Sequence, residues 1–140
     1  MNKRIAEIWI NAAKKDLRFA KLQLSNPEFK EYLATNCNHA VEKAIKAYIF
    51  STFEIDPDNI NDKTISKYKV HDLEKLARYA NFELSEKTWD FLTELYSFFI
   101  PTRYPSTKNN VLALLTPQLC ERFITEAEEF ISWIEKKLLQ

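Results

Sequence analysis

Thr116 to Leu138, TPQLCERFITEAEEFISWIEKKL, sets Cys120, Phe123, Ile124, Ala127, Phe130, Ile131, Ile134 and Leu138 three and four residues apart. That spacing lays them along one side of an α-helix, with Glu126, Glu128, Glu129 and Glu135 mostly outside the stripe. Thr116-Pro117 is a start signal, a capping hydroxyl followed by a proline whose missing N–H costs nothing in a first turn. The stretch therefore predicts a long amphipathic helix with one face on a core. Upstream, Pro101 and Pro105 bracket a loop, PTRYPSTKNN, that separates it from a helix carrying Trp89, Phe91, Leu92, Leu95, Tyr96, Phe98 and Phe99, with Ser85 as its cap. This fourth helix is apolar almost all round, which predicts a central place or an interface. Leu73, Leu76, Ala77 and Ala80 make a short third helix, and the polar segment from Phe53 to Val70, with Pro57 and several Asn and Asp, reads as an irregular loop. Asn26-Pro27-Glu28 starts a second helix with the stripe Leu33, Cys37, Ala40, Val41, Ala44, Ile45, Tyr48. The first helix has Ile5, Ile8, Trp9, Ala12, Ala13, Leu17, Ala20 and Leu24 on its stripe.

Composition narrows the function classes. The 140 residues contain no glycine, on which hairpins and phosphate loops lean for positive φ, so glycine-rich nucleotide loops are excluded. Twenty Lys and Arg balance twenty Asp and Glu, which argues against a protein that coats duplex nucleic acid. Two separated cysteines, Cys37 and Cys120, sit on apolar stripes and suggest a reducing compartment. No run approaches the roughly 18 apolar residues of a membrane span. A single all-α domain over residues 1–140, cytoplasmic and not bound to a membrane, is the expectation. With His39 and His71 as the only histidines, neither the usual zinc ligand sets nor a di-iron Glu-x-x-His pattern can be assembled, so no metal and no cofactor is expected.

Three segments hold residues able to do chemistry. His39, Lys43, Lys46 and Phe50 follow one another at helical steps, giving a face part basic and part aromatic, or simply the solvated flank of an amphipathic helix. His71 precedes Asp72 at the start of the third helix, where it serves as a cap or hydrogen-bond anchor, or contributes to a site. The loop Pro101-Thr102-Arg103-Tyr104-Pro105-Ser106-Thr107-Lys108 contains no acid, and its prolines hold an arginine and a tyrosine in an extended pose. Arg103 offers bidentate phosphate recognition, Tyr104 a stacking face and Lys108 a further donor. Alternatively Arg103 pairs with a carboxylate of a neighbouring helix and Tyr104 packs into the bundle end.

The order of features, Trp9 with Ala13 and Asp16-Leu17, then Asn38-His39-Ala40-Val41-Glu42-Lys43-Ala44-Ile45-Lys46-Ala47, then His71-Asp72-Leu73 with Leu76, then Arg103-Tyr104-Pro105, resembles the HEPN domain family. The resemblance implies an up-and-down antiparallel bundle of four long helices and a short one, usually dimeric. It implies a nucleotide- or RNA-binding module, often paired with a small nucleotidyltransferase in toxin–antitoxin style. It also favours Arg103 and Tyr104 as the ligand loop, with Lys43, Lys46 and His71 in support. HEPN ribonucleases commonly carry an arginine followed four to six residues later by histidine, and no arginine of this chain has one. The leading expectation is a non-catalytic binding module with no catalytic residue assigned. A divergent ribonuclease using Arg103 with His39 or His71, and a purely structural dimerisation module, are the alternatives. In the homodimer the fourth or fifth helix is expected at the seam.

Overall fold

The computed structural model of the chain describes residues 1–59, 61–99 and 111–139. Helix α1 (Lys3–Leu22) begins where the Asn2 side chain accepts from the Ile5 N–H, supplying a partner to one of the donors a helix start leaves unsatisfied. Two short 3-10 turns, Gln23–Ser25 and Pro27–Phe29, lead into α2 (Lys30–Thr52). Pro27 thus opens a tight turn and the α-helix proper starts at Lys30, and the Asn26 side chain makes no capping bond. The segment expected to be irregular from Phe53 to Val70 contains a 3-10 stretch, Lys63–Tyr68, that buries Ile65 and Tyr68. Residues three apart eclipse on such a helix, so two apolar side chains reach the core without a longer stripe. Helices α3 (Leu73–Tyr79), α4 (Glu86–Ser97) and α5 (Pro117–Leu138) start at Asp72, Ser85 and Thr116, each accepting from an N–H three residues on. No strand occurs among the described residues, and the fold is an all-α bundle.

Cross-helix pairs give the directions. Along α1 and α2, Asn2 N–H donates to the Ser51 carbonyl, Trp9 packs edge-on to Phe50, and Asp16 pairs with Lys43, so residue numbers rise on one helix as they fall on the other. Lys14 with Glu135 and Lys21 with Glu128 set α1 against α5 in the same sense. Glu94 with Arg122, and Phe91 with Phe123, run α4 antiparallel to α5. Among the described residues the four longer helices are therefore up-and-down, with α3 a shorter one beside them.

The central helix is α2 and not α4. From Leu33 to Ser51 it is buried on almost every side, with Ala34, Cys37, Ala40, Ala44 and Ala47 inaccessible to solvent. These small side chains let neighbours approach the α2 backbone closely all round it. Helix α4 buries Phe91, Leu92 and Leu95 and turns Glu86, Lys87, Asp90, Thr93 and Ser97 to solvent, so its own chain covers its apolar face. Large exposed apolar side chains occur instead on α1 and ahead of and within α2, at Ile8, Phe19, Leu22, Phe29 and Tyr32, and singly elsewhere, as at Phe53, Leu114 and Leu139.

Candidate functional site at the junction of α2 and α3

His39, Glu42 and Lys46 stand at steps of three and four on α2, which places them on one side of the helix. His71, one residue ahead of the Asp72 cap of α3, completes the group. Its backbone carbonyl accepts from the Asn38 side chain at 3.1 Å, which ties the α3 entrance to α2. Its ring Nδ1 lies 2.9 Å from Glu42 Oε1, and His39 Nδ1 lies 3.6 Å from the same oxygen, an ion-pair distance too long for a hydrogen bond. The other Glu42 oxygen accepts from Lys46 Nζ at 2.8 Å. Around one carboxylate the chain thus gathers two imidazoles and an ammonium.

The exposures divide the group into a buried base and an accessible rim. The Glu42 and Lys46 side chains are 7% and 9% exposed, against 34% for His39 and 46% for His71. Burial pushes the Glu42 carboxyl up, but His39, Lys46 and His71 around it more than reverse this and leave it at about 2. It is an anion at any ordinary pH. An ionised carboxylate only accepts, so with Nδ1–H of His71 donating to it the tautomer of the neutral ring is set, and Nε2 is left as the acceptor. The wall of the rim is Phe99, whose ring centre lies 5.4 Å from that of His39 and 4.9 Å from that of His71. The two imidazoles are 5.8 Å apart, edge to face.

The residues singled out in the sequence separate in the structure. His71 joins the cluster directly. Lys46 joins it as the buried partner of Glu42. Lys43 faces α1, 2.7 Å from Asp16, and Phe50 is buried against Trp9 and Tyr68, so His39, Lys43, Lys46 and Phe50 do not share one solvated flank. Arg103, Tyr104 and Lys108 lie outside the described residues. Glu42 is the member of the cluster that the sequence does not single out, although its position three residues after His39 and four before Lys46 is a readable signal. Elsewhere, a cleft of about 330 Å³ between α4 and α5 is lined, among the described residues, by Glu83, Glu126 and Glu129 against the one cation Lys87, a charge balance unsuited to phosphate. Both cysteines are buried, and burial pushes each thiol up, so neither is a ready nucleophile.

Chemically, the cluster can hold an anion when its rings are protonated and can take up a proton at His71 Nε2 when they are not. No helix among the described residues is long and apolar enough to cross a membrane. The family model for the HEPN domain matches residues 6–137. Comparison with curated proteins and with solved structures gives no match.

Proposed function

Since the chain belongs to the HEPN domain family over nearly its whole length, we propose that it is a non-catalytic module that binds the phosphate of a nucleotide or of an RNA end. The observation that carries this reading is the pair of accessible imidazoles, His39 and His71, backed by the buried anion of Glu42. A protonated His71 donates from both nitrogens, one inward to Glu42 and one outward, and charge-assisted donors of that kind are what phosphate oxygens select. From the family resemblance, and outside the described residues, Arg103 is the guanidinium fork of this reading, Tyr104 its face for a base and Lys108 a further cation. Lys43 and Lys46, each occupied by a carboxylate, contribute only through their fields. The module works as a homodimer, and a small nucleotidyltransferase is the class of protein partner that the family resemblance implies.

The test is titration of a short fluorescent RNA bearing a terminal phosphate. His71→Ala and Arg103→Ala should each weaken binding roughly 10- to 100-fold, the range for one hydrogen bond to a charged group, with little change in melting temperature. Added salt should weaken it further. Equal affinity in both variants and the parent would refute the site.

A second reading is favoured by one contact, the 2.9 Å approach of His71 Nδ1 to Glu42. A carboxylate that orients an imidazole leaves the other ring nitrogen to accept the proton of a 2′-hydroxyl, with Arg103 stabilising charge on the phosphate. RNA cut by the parent protein and left intact by both His71→Ala and Arg103→Ala would replace the non-catalytic reading with this one.

A further inference from the structure

We propose that His39, Glu42 and His71 are a three-ligand site for a divalent transition metal, with Zn²⁺ the ion whose chemistry they match. The inference does not depend on the phosphate-binding reading. One ligand atom from each side chain can be chosen so that all three lie within 4.8 Å of one another. Ligands bound at about 2.0–2.1 Å to a tetrahedral ion stand about 3.3–3.4 Å apart. The 2.9 Å between His71 Nδ1 and Glu42 Oε1 and the 3.6 Å between His39 Nδ1 and the same oxygen bracket that spacing. Coordination replaces the Nδ1 proton of His71, which leaves to solvent or to Nε2 as the ion binds, and draws together the two imidazole nitrogens, which lie within 4.8 Å of one another.

The surroundings are those of a held ligand set. His39 and Glu42 lie on successive turns of the most enclosed helix, and the Asn38 bond to the His71 carbonyl fixes the third ligand's backbone. Lys46 occupies Glu42 Oε2, orienting the carboxylate and restricting it to one oxygen, in the way outer partners orient metal ligands. From two histidines alone the sequence predicts no metal, but with the Glu42 carboxylate as the third ligand they make a donor set of the zinc type and leave a fourth position open. The exposed rims of His39 and His71 give an ion access. The positive charge of Lys46 beside the carboxylate makes the ion exchangeable and not permanently held.

The experiment uses the intact protein, stripped with a chelator and dialysed against Zn²⁺ alone, with no nucleotide or RNA present. One zinc per chain is expected. His39→Ala and His71→Ala should each lower the affinity by about tenfold or more, a loss at least that of an outer-partner mutation. Both substitutions fall on accessible side chains, so the fold should survive them. Glu42→Gln alone strands Lys46, and the double variant Glu42→Gln/Lys46→Met removes both charges and should lose zinc to a similar degree. In the parent, the ¹⁵N resonances of both imidazoles should move on zinc addition, because these are the only two histidines in the chain. Absence of zinc binding, or binding that is equal in the histidine variants, overturns the proposal. Zinc binding without RNA binding sustains it and removes only the phosphate reading.

Discussion

Glu42 is the residue on which the α2–α3 junction turns. A carboxylate taken out of water is costly, and here the cost is offset by Lys46 on one oxygen and two imidazoles on the other. The folded value of about 2 lies below the ordinary value of 4.5, so the folded state favours the anion. The resulting stabilisation is complete above pH 4.5 and is lost as pH falls through the window from 4.5 towards 2. A shift of that size corresponds to about 3 kcal/mol. Glu42→Gln should therefore lower stability at pH 7 by about 3 kcal/mol, because Lys46 is left buried without its counter-charge. In urea titrations at several pH values, the gap between parent and variant should close as the pH is lowered towards 2. A gap that stays constant across that window would show that Glu42 is not held as an anion. The Lys43–Asp16 pair, with side chains 33% and 26% exposed, is a lesser contributor of the kind that partly exposed ion pairs make.

At the scale of elements, a chain without glycine still has to end its helices. Two of them end on a residue in the left-handed region, Glu54 at φ 53° after α2 and Asn81 at φ 59° after α3. In both, the N–H of the following residue reaches back five positions, Ile55 to the Phe50 carbonyl and Phe82 to that of Ala77. That is the Schellman arrangement, and its left-handed position is the one glycine normally takes. Asparagine tolerates the conformation, whereas glutamate pays a steric penalty of about 1 kcal/mol or more. Glu54→Gly should raise stability by about 0.5–1 kcal/mol, the relieved strain exceeding the added freedom of the unfolded chain. Asn81→Gly should gain less. Thermal melts that show Glu54→Gly destabilised would mean that the exposed contact of Glu54 with the amino terminus outweighs the strain.

For the whole molecule, the distribution of apolar surface bears on assembly. Phe19, Leu22, Phe29 and Tyr32 are 56%, 69%, 44% and 54% exposed, and the Phe29 and Tyr32 rings lie 6.3 Å apart. Helix α4 offers no comparable surface, so within the proposed homodimer these residues of α1 and the approach to α2 are the expected seam. Sedimentation at about tens of micromolar, a working concentration at which a stable pair stays associated, should show a dimer, and Leu22→Glu should shift it to monomer. A parent protein that sediments as a monomer would remove the homodimer from the reading.

Local signals were legible in the sequence because they are carried by adjacent residues. The α5 stripe from Cys120 to Leu138 is buried at every one of its eight positions, and the caps at Ser85 and Thr116 bond as their spacing predicts. Periodicity is less reliable on α1, where Ile8 is exposed while Ala6 and Ile10 are buried, and Leu24, expected on the same stripe, falls in the 3-10 turn beyond the helix end. A stripe wide enough to hold all of them does not say which edge meets a neighbour. The site was legible only in part. His71 stood out beside a cap, but nothing local pairs it with Glu42, 29 residues earlier. The sequence by itself determined the helices, their capped starts and the polarity of their faces, since each depends on contacts three or four residues apart. Tertiary structure alone decided that α2 is central, that Lys43 turns to Asp16, and that two imidazoles meet one carboxylate. Those outcomes depend on how closely small side chains let helices approach and how each helix is rotated about its axis, which no single segment encodes.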